Sequence, residues 1–417
     1  MADIINDAKK IITAALTDAM PGAAVVNALQ NINFGTGRLV VVAAGKAAWE
    51  MAKSAHDVLG RRIDSGIIIT KYGHARGPVA NMIICEAGHP VPDENSYKAT
   101  AQALEIVKDL TPKDAVLFLL SGGGSALFEQ PLVPGDEMAD VTGQLLASGA
   151  DIVEMNTIRK RLSSVKGGRF ALACAPAHVY TVVLSDIIGN PLDMIASGPA
   201  YPDSSTCKQA VNIVKKYNLN LSEQALALLQ KETPKKLDNV TTHVTGSVKQ
   251  LCRSAEKACK KLGYETVYLT DSLSCEAREA GAFLGSIASA HQEDTDSSRR
   301  EKSIAFIAGG ETVVHLTGKG KGGRNQEIAL AASTYIDGCR NTCVFSFGSD
   351  GTDGPTDAAG GIVTGETAAE LREKNIDVAR VLKDNDAYNA LKEIDSLIMT
   401  GPTGTNVNDL TVALIKR

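Results

Sequence analysis

Lysine, arginine, aspartate and serine recur beside glycine, directly after apolar runs, along this 417-residue chain. Together such residues can handle an anionic group. The cation neutralises it, bare backbone N–H groups approach it, and a carboxylate moves a proton or holds a divalent ion. In VVVAAGKAAWEMA, Lys46 follows Gly45 at the start of an Ala-rich segment. A lysine there opposes the helix dipole, so it reads either as a solvated cation or as a clamp on phosphate or carboxylate. In LFLLSGGGSAL, Ser121, Gly122, Gly123, Gly124 and Ser125 suit an anion cradle with a serine capping the next helix. A tight turn packed for its own sake is the plainer alternative. The spacing is not that of a Walker A loop.

Other stretches carry the carboxylates. Asp186, in LSDIIGNP, follows an apolar run, a position suited to a Mg²⁺ ligand, a general base or a simple cap. Asp350, Asp353 and Asp357 stand between glycines in FSFGSDGTDGPTDAAGG. Acids so close together hold a cation or share a proton, although the glutamate of a calcium loop is missing. Asn156, Arg159 and Lys166, in NTIRKRLSSVKGGRFA, fall on related faces of a helical stretch broken by Gly167-Gly168. Alone, that segment fits a solvated basic face.

The stretch SIAFIAGGETVVHLTGKGKGGRNQE reads as two strands joined by Gly309-Gly310-Glu311, followed by Gly318-x-Gly320-x-x-Gly323. That glycine spacing matches the dinucleotide fingerprint. The fingerprint requires a βαβ unit and an acid at the tip of the next strand. Here a hairpin-like pair precedes it, Asp337 lies before the next strand, and Arg324, Asn325, Gln326 and Glu327 follow. The context fits a polar active-site turn better than a pyrophosphate cradle.

The elements that position these loops are short apolar runs (RLVVVAAG, GIIIT, MIICEAG, AVLFLLSG, VYTVVLSD and, later, ETVYLT, SIAFIAGG, TVVHL, TCVFSFGS, LIMTG, LTVALIKR) alternating with amphipathic helical patterns. Runs buried on both faces, alternating with helices, predict parallel sheets covered by helices. The expected class is α/β: two Rossmann-like domains, 1–236 and 237–417, with largely parallel sheets flanking a cleft. Ligands are expected at the carboxyl ends of the strands, where the polar residues lie. HQEDTDSSRREK (291–302) reads as a solvated loop inside the second domain.

Composition narrows the function. With 4% aromatics, a single Trp49 and a net charge of −5, no base-stacking surface or basic stripe for nucleic acid is expected. No run of about 18 apolar residues predicts a membrane span, and no leader pattern opens the chain. Eight scattered cysteines without a C-x-x-C fit reduced thiols in the cytoplasm. Their spacing relative to the seven histidines is not that of a zinc site.

Side by side, AGKAA, AGHPVPDENS, LSGGGSAL, NTIRKRLSSVKGGRFA, SDIIGNPLDMIASGPAYPDSST, GGRNQEIAL, GTDGPTDAAGG and GPTGTNVNDL make the chain resemble, essentially end to end, the glycerate 2-kinases that carry a MOFRL domain. The resemblance implies two α/β domains and ATP-dependent phosphorylation of D-glycerate at its 2-hydroxyl, giving 2-phosphoglycerate and ADP with Mg²⁺. It implies Lys46, Arg324 and Asp350 as active-site residues, with Asp186, Glu311 and Asn325 in support. Asn190 stands where an acid is expected, a departure that weakens any metal role for residue 190 but not for Asp186. Phosphoryl transfer needs positive charge, a bridging cation and a carboxylate. Lys46 and Arg324 supply the charge, with Arg324 binding either glycerate's carboxylate or the γ-phosphate. Asp186 and Asp350 serve as Mg²⁺ ligand and base in either order, and the glycines at 122–124 and 309–310 present N–H groups to phosphates. Homo-oligomerisation stays open. The family's frequent label, hydroxypyruvate reductase, keeps an NAD(P)H-dependent reaction using His89 as the alternative, and a non-catalytic sensor built on the same cleft as a third reading.

Overall fold

The computed structural model describes residues 2–30, 32–185, 192–292 and 302–417. Asp186 and Asn190 lie outside the described residues, as does most of 291–302. The chain forms two compact units.

The first unit comprises residues 21–185 and 192–245 among those described. Its apolar runs form β1 (Leu39–Ala44), β2 (Ser65–Lys71), β3 (Met82–Ala87), β4 (Ala115–Leu120), β5 (His178–Leu184) and β6 (Val240–Gly246). They form one sheet in the order β3-β2-β1-β4-β5-β6. The pairings from β3 through β5 are parallel. Every residue of β1 and β4 is buried, which requires helices on both faces. The helix Ala48–Leu59 supplies part of that cover through Ala48, Met51, Ala52 and Ala55. Strand order reverses between β1 and β4, and the chain leaves a crevice at their carboxyl ends where such a reversal occurs. Ala44 pairs with Leu120 at that end, so Gly45 and Ser121 emerge side by side.

The second unit comprises residues 2–20 and 246–417 among those described. Its strands are β7 (Glu265–Leu273), β8 (Ile304–Gly310), β9 (Thr342–Gly348), β10 (Gly360–Thr364), β11 (Leu397–Ile398) and β12 (Asp409–Ile415), in the order β11-β10-β9-β12-β8-β7. Helices Ala2–Ala19 and Val248–Lys261 share one core with this sheet. Residues of Ala277–Gln292 and Arg324–Tyr335 enter a second core with it.

The α/β class and the two-domain organisation agree with the sequence reading, and three details differ. The first sheet is parallel through its described pairings, and β7 pairs with β8 in parallel. In contrast, β8–β12, β12–β9, β9–β10 and β10–β11 are antiparallel. β8, β9 and β12 are buried almost throughout because helices cover both faces, so a continuous apolar run did not fix strand direction. TVVHL forms only an isolated bridge, Glu276 to Val313, rather than a strand. The change of unit falls near residue 245, not 236: the half-exposed edge strand β6 still belongs to the first sheet. The amphipathic helix Ala2–Ala19 joins the second unit, burying Ile4, Ala8, Ile11, Ile12 and Ala15 with Leu251, Phe345 and Leu410. Among the described residues no single helix is long and apolar enough to cross a membrane. All eight cysteines are unbridged.

Candidate active site

In the first unit, the switch-point loops are tied together by their backbones. Lys46 N donates to Gly122 O (2.9 Å), Ser121 N to Ala44 O (3.0 Å) and Ala47 N to Ser121 Oγ (3.1 Å). Gly45 has φ +122°, and a Cβ there would collide with Ser121, so only glycine permits this approach. Ser121 is therefore a buried tether. Gly123, at φ +85°, has the His89 ring and the Lys46 stem on its bare side: a Cβ would lie 2.9 Å from His89 Cδ2 and 3.3 Å from Lys46 Cγ. The helix that follows, Gly124–Leu127, has four residues. So short a helix supplies little dipole, which leaves Lys46 and the glycine turn as the groups of this loop that could meet an anion. Lys46 itself is exposed and has no carboxylate partner among the described residues. Burial and the charges of Lys46, Lys71 and His74 lower the pKa of His89, favouring its neutral form. His74 Nδ1 lies 3.1 Å from Lys46 O.

A second layer supports the turn. Ser125 Oγ lies 3.3 Å from Ser197 Oγ, which donates to Asn156 Oδ1 (2.8 Å), and Arg159 Nη2 donates to Ser125 O (3.2 Å). Asn156 and Arg159 thus brace the loop, although Arg159 Nε finds no partner. Lys166 does not belong to the site. It is fully buried, with Nζ 2.6 Å from the equally buried Glu129 and donating to Phe128 O (3.2 Å). Burial lowers its pKa to about 8 against the pull of Glu129. The basic segment is an internal ion network rather than a solvated face, because Lys160 and Arg161 pair with Asp203 (3.1 and 3.7 Å).

In the second unit, polar groups converge where β8 and β9 end and β12 begins. Arg324, first residue of Arg324–Tyr335, donates from Nε to Asp409 Oδ2 (2.5 Å), from Nη2 to Asp409 Oδ1 (3.1 Å) and from Nη1 to Glu311 Oε1 (3.0 Å). Burial alone would lower the pKa of this arginine, but Asp409 raises it well above the usual value. A Cβ on Gly348 would lie 3.3 Å from Asp350 Oδ1 and 3.4 Å from Asp409 Oδ1, so both carboxylates border that glycine. Asp350 Oδ1 accepts from Thr352 N (3.0 Å). Among the described residues no group of three or more His, Cys, Asp or Glu is arranged for a metal ion.

Several expected ligand-binding residues serve the scaffold instead. Asp353 is buried and caps Arg324–Tyr335, accepting from Asn325 N (3.1 Å) and Gln326 N (2.9 Å). Burial raises its pKa to about 7 against those amides. Asn325 is buried too, accepting from Ser346 Oγ (2.6 Å). Asp357 is exposed and accepts from Tyr388 (2.7 Å). Gly309 and Gly310 lie within β8, paired with Leu410 and Asp409. Gly309 packs so tightly against Val248 that a Cβ would lie 2.8 Å from its Cγ2. They serve close packing rather than phosphate contact.

The glycine fingerprint is also occupied. Asn385 Oδ1 accepts from Thr317 N (2.7 Å) and Gly318 N (2.9 Å), Asp384 from Lys319 N (3.2 Å) and Gly320 N (2.8 Å), and Asp386 Oδ1 from Lys321 N (2.8 Å). A pyrophosphate cradle needs those N–H groups free, and here 384–386 take them. Sequence reasoning singled out neither Asp409 nor the role of 384–386. Asp409 merely opens an apolar run; its signal is its place at the start of the strand between β8 and β9.

The fold and these two loop sets define a two-module α/β enzyme equipped for anionic substrates. The models that match are a domain of unknown function (DUF4147) over residues 7–230 and the MOFRL family over 304–409. A D-glycerate 2-kinase from Thermotoga maritima is 50% identical over 97% of this chain and 97% of its own length. A glycerate 2-kinase from Pyrococcus horikoshii is 38% identical over 99% and 98%. The crystal structure of the Thermotoga maritima glycerate kinase superposes with a TM-score of 0.94, covering all of both chains at 49% identity. The chain belongs to the glycerate 2-kinase family.

Proposed function

We propose that this chain transfers the γ-phosphoryl group of ATP to the 2-hydroxyl of D-glycerate, giving 2-phosphoglycerate and ADP. The observation that carries the chemistry is Lys46: a cation with no carboxylate partner among the described residues, held beside Gly122 and Gly123 at the β1/β4 switch point. Such a charge is poised for an anion that arrives with the substrates. Arg324 offers a fixed guanidinium, matched to a carboxylate or phosphate edge. As the glycerate oxygen bonds to phosphorus and the bond to ADP breaks, the hydroxyl proton passes to a carboxylate, for which Asp350 and Asp186 are the candidates, the other serving the metal.

Mg²⁺ in such enzymes is held by one or two carboxylates plus substrate phosphates, and the Asp350 carboxylate, bordering Gly348 beside Asp409, fits that donor chemistry. When bound, the ion would neutralise charge developing on the phosphates. Asp186 stays a candidate for the same task. The unbridged thiols suit a reducing compartment such as the cytoplasm. Phosphorus NMR of protein, ATP, Mg²⁺ and D-glycerate tests the reading. A 2-phosphoglycerate signal supports it, a 3-phosphoglycerate signal corrects the position, and no phosphoryl transfer to glycerate defeats it. The reductase alternative lacks its cradle, since the amides of 317–321 are already bonded.

A further inference from the structure

Asp409 opens β12 opposite both Gly310 of β8 and Gly348 of β9, and it is 5% exposed. A buried carboxylate is costly unless paired and hydrogen-bonded. Its partner is the fork of Arg324, with contacts of 2.5 and 3.1 Å along the Nε–Nη2 edge. Glu311 takes one Nη1 hydrogen, but its side chain is 48% exposed, and such rim contacts in water hold little. Asp409 is therefore the contact that fixes the guanidinium plane. Of five guanidinium N–H groups, the described contacts use three. The remaining two are one on Nη1 and one on Nη2, the two nitrogens of the edge that Asp409 does not bridge.

We infer that Asp409 is a positioning residue for the reaction: it clamps one edge of Arg324 so that the opposite edge meets the carboxylate or phosphate of a substrate. The inference rests on the kinase reading for its kinetic consequence, but not for its geometry. Buried Asp409 does not touch the substrate; it acts through Arg324.

The test is a double-mutant cycle on D-glycerate phosphorylation with Asp409→Asn and Arg324→Lys, the lysine retaining charge but losing the fork. Asp409→Asn alone should lower kcat/KM by about 10²-fold, the scale for one preorganised charge contact. In the Arg324→Lys background it should cost less than about threefold, because contacting residues are strongly non-additive. An equal loss in both backgrounds overturns the inference, as does near-normal activity of Asp409→Asn. Melting curves identify a variant that fails to fold. In that case Asp409→Glu, which keeps the charge but moves it by one methylene, replaces it in the same cycle. A second readout is independent of catalysis: the Nε–H resonance of Arg324 in ¹⁵N-labelled protein, assigned by its disappearance in Arg324→Lys. It should resist solvent exchange in the wild type and lose that protection in the Asp409 variant. If the wild type does not phosphorylate glycerate, the functional reading falls by itself. A rapidly exchanging Nε–H in the wild type would refute the clamp.

Discussion

Lys46→Ala separates catalysis from stability. The Lys46 side chain is exposed and has no carboxylate partner among the described residues, and the bonds that fix its loop come from its backbone N and from Ala47 N. Truncation leaves no buried charge behind, and surface substitutions of that kind change stability by about 0.5 kcal/mol or less. The transition state loses a placed positive charge, for which mutational precedent gives about 10²–10³-fold in kcat, roughly 2.7–4 kcal/mol. The expected phenotype is a normal melting curve with kcat reduced at least about a hundredfold. The assay couples ADP release from ATP and D-glycerate, at saturating concentrations of each, to a melting scan of the same sample. A near-normal kcat would show that the switch-point lysine is only a solvated surface cation. A loss matched by a large drop in melting temperature would assign it to the scaffold.

Gly123→Ala should impair turnover while leaving a folded protein, because the added methyl meets His89 and the Lys46 stem at a left-handed position; kcat equal to wild type would remove this turn from the site. Glu129→Gln should destabilise the first unit by about 3–5 kcal/mol by leaving Lys166 buried without its partner, and replacing both by Leu and Met should recover much of it; urea melts decide, and a harmless single substitution contradicts the buried pair. Asp353 has a folded pKa near 7 against an ordinary 3.8. Its folded form therefore holds the proton more tightly, and its contribution to stability falls as pH rises between those values. Asp353→Asn should flatten that part of the melting temperature–pH profile, and an unchanged slope would count against the shift. NADH should show no saturable binding and no oxidation with hydroxypyruvate; a stoichiometric isotherm would mean that 384–386 release the loop amides.

The half-exposed β6, VTTHVTG, carries no dense apolar run and was not legible. The other five strands of the first sheet were legible because they carry dense Val, Ile and Leu runs and their polar residues sit directly after them. Gly45-Lys46 and Ser121–Gly124 were located for that reason. Strand direction in the second unit was not legible, since helices bury both faces of β8, β9 and β12 whichever way they run. The roles of Asp353, Lys166 and the 318–323 glycines depend on partners distant in sequence: the helix start at 324–326, Glu129, and residues 384–386. A local pattern shows that a charge or a bare amide exists, but not which distant group already holds it. Asp409 was invisible for the opposite reason: a lone acid before an apolar run carries no pattern, and only pairing with two other strands places it beside Arg324.

The helix Ala2–Ala19 has a consequence for synthesis. It is synthesised well before its core mates Leu251, Phe345 and Leu410. At roughly 5–20 residues per second, its apolar stripe must wait on the order of tens of seconds, a window in which chaperones or premature aggregation compete for it. Lys416 Nζ sits 2.6 Å from Asp3 and 2.7 Å from Asp7, so residue 416 lies against the first turns of this helix. A circular permutant that joins residues 1 and 417 through a short linker and opens the chain after residue 20 would deliver this helix together with its mates and close the window.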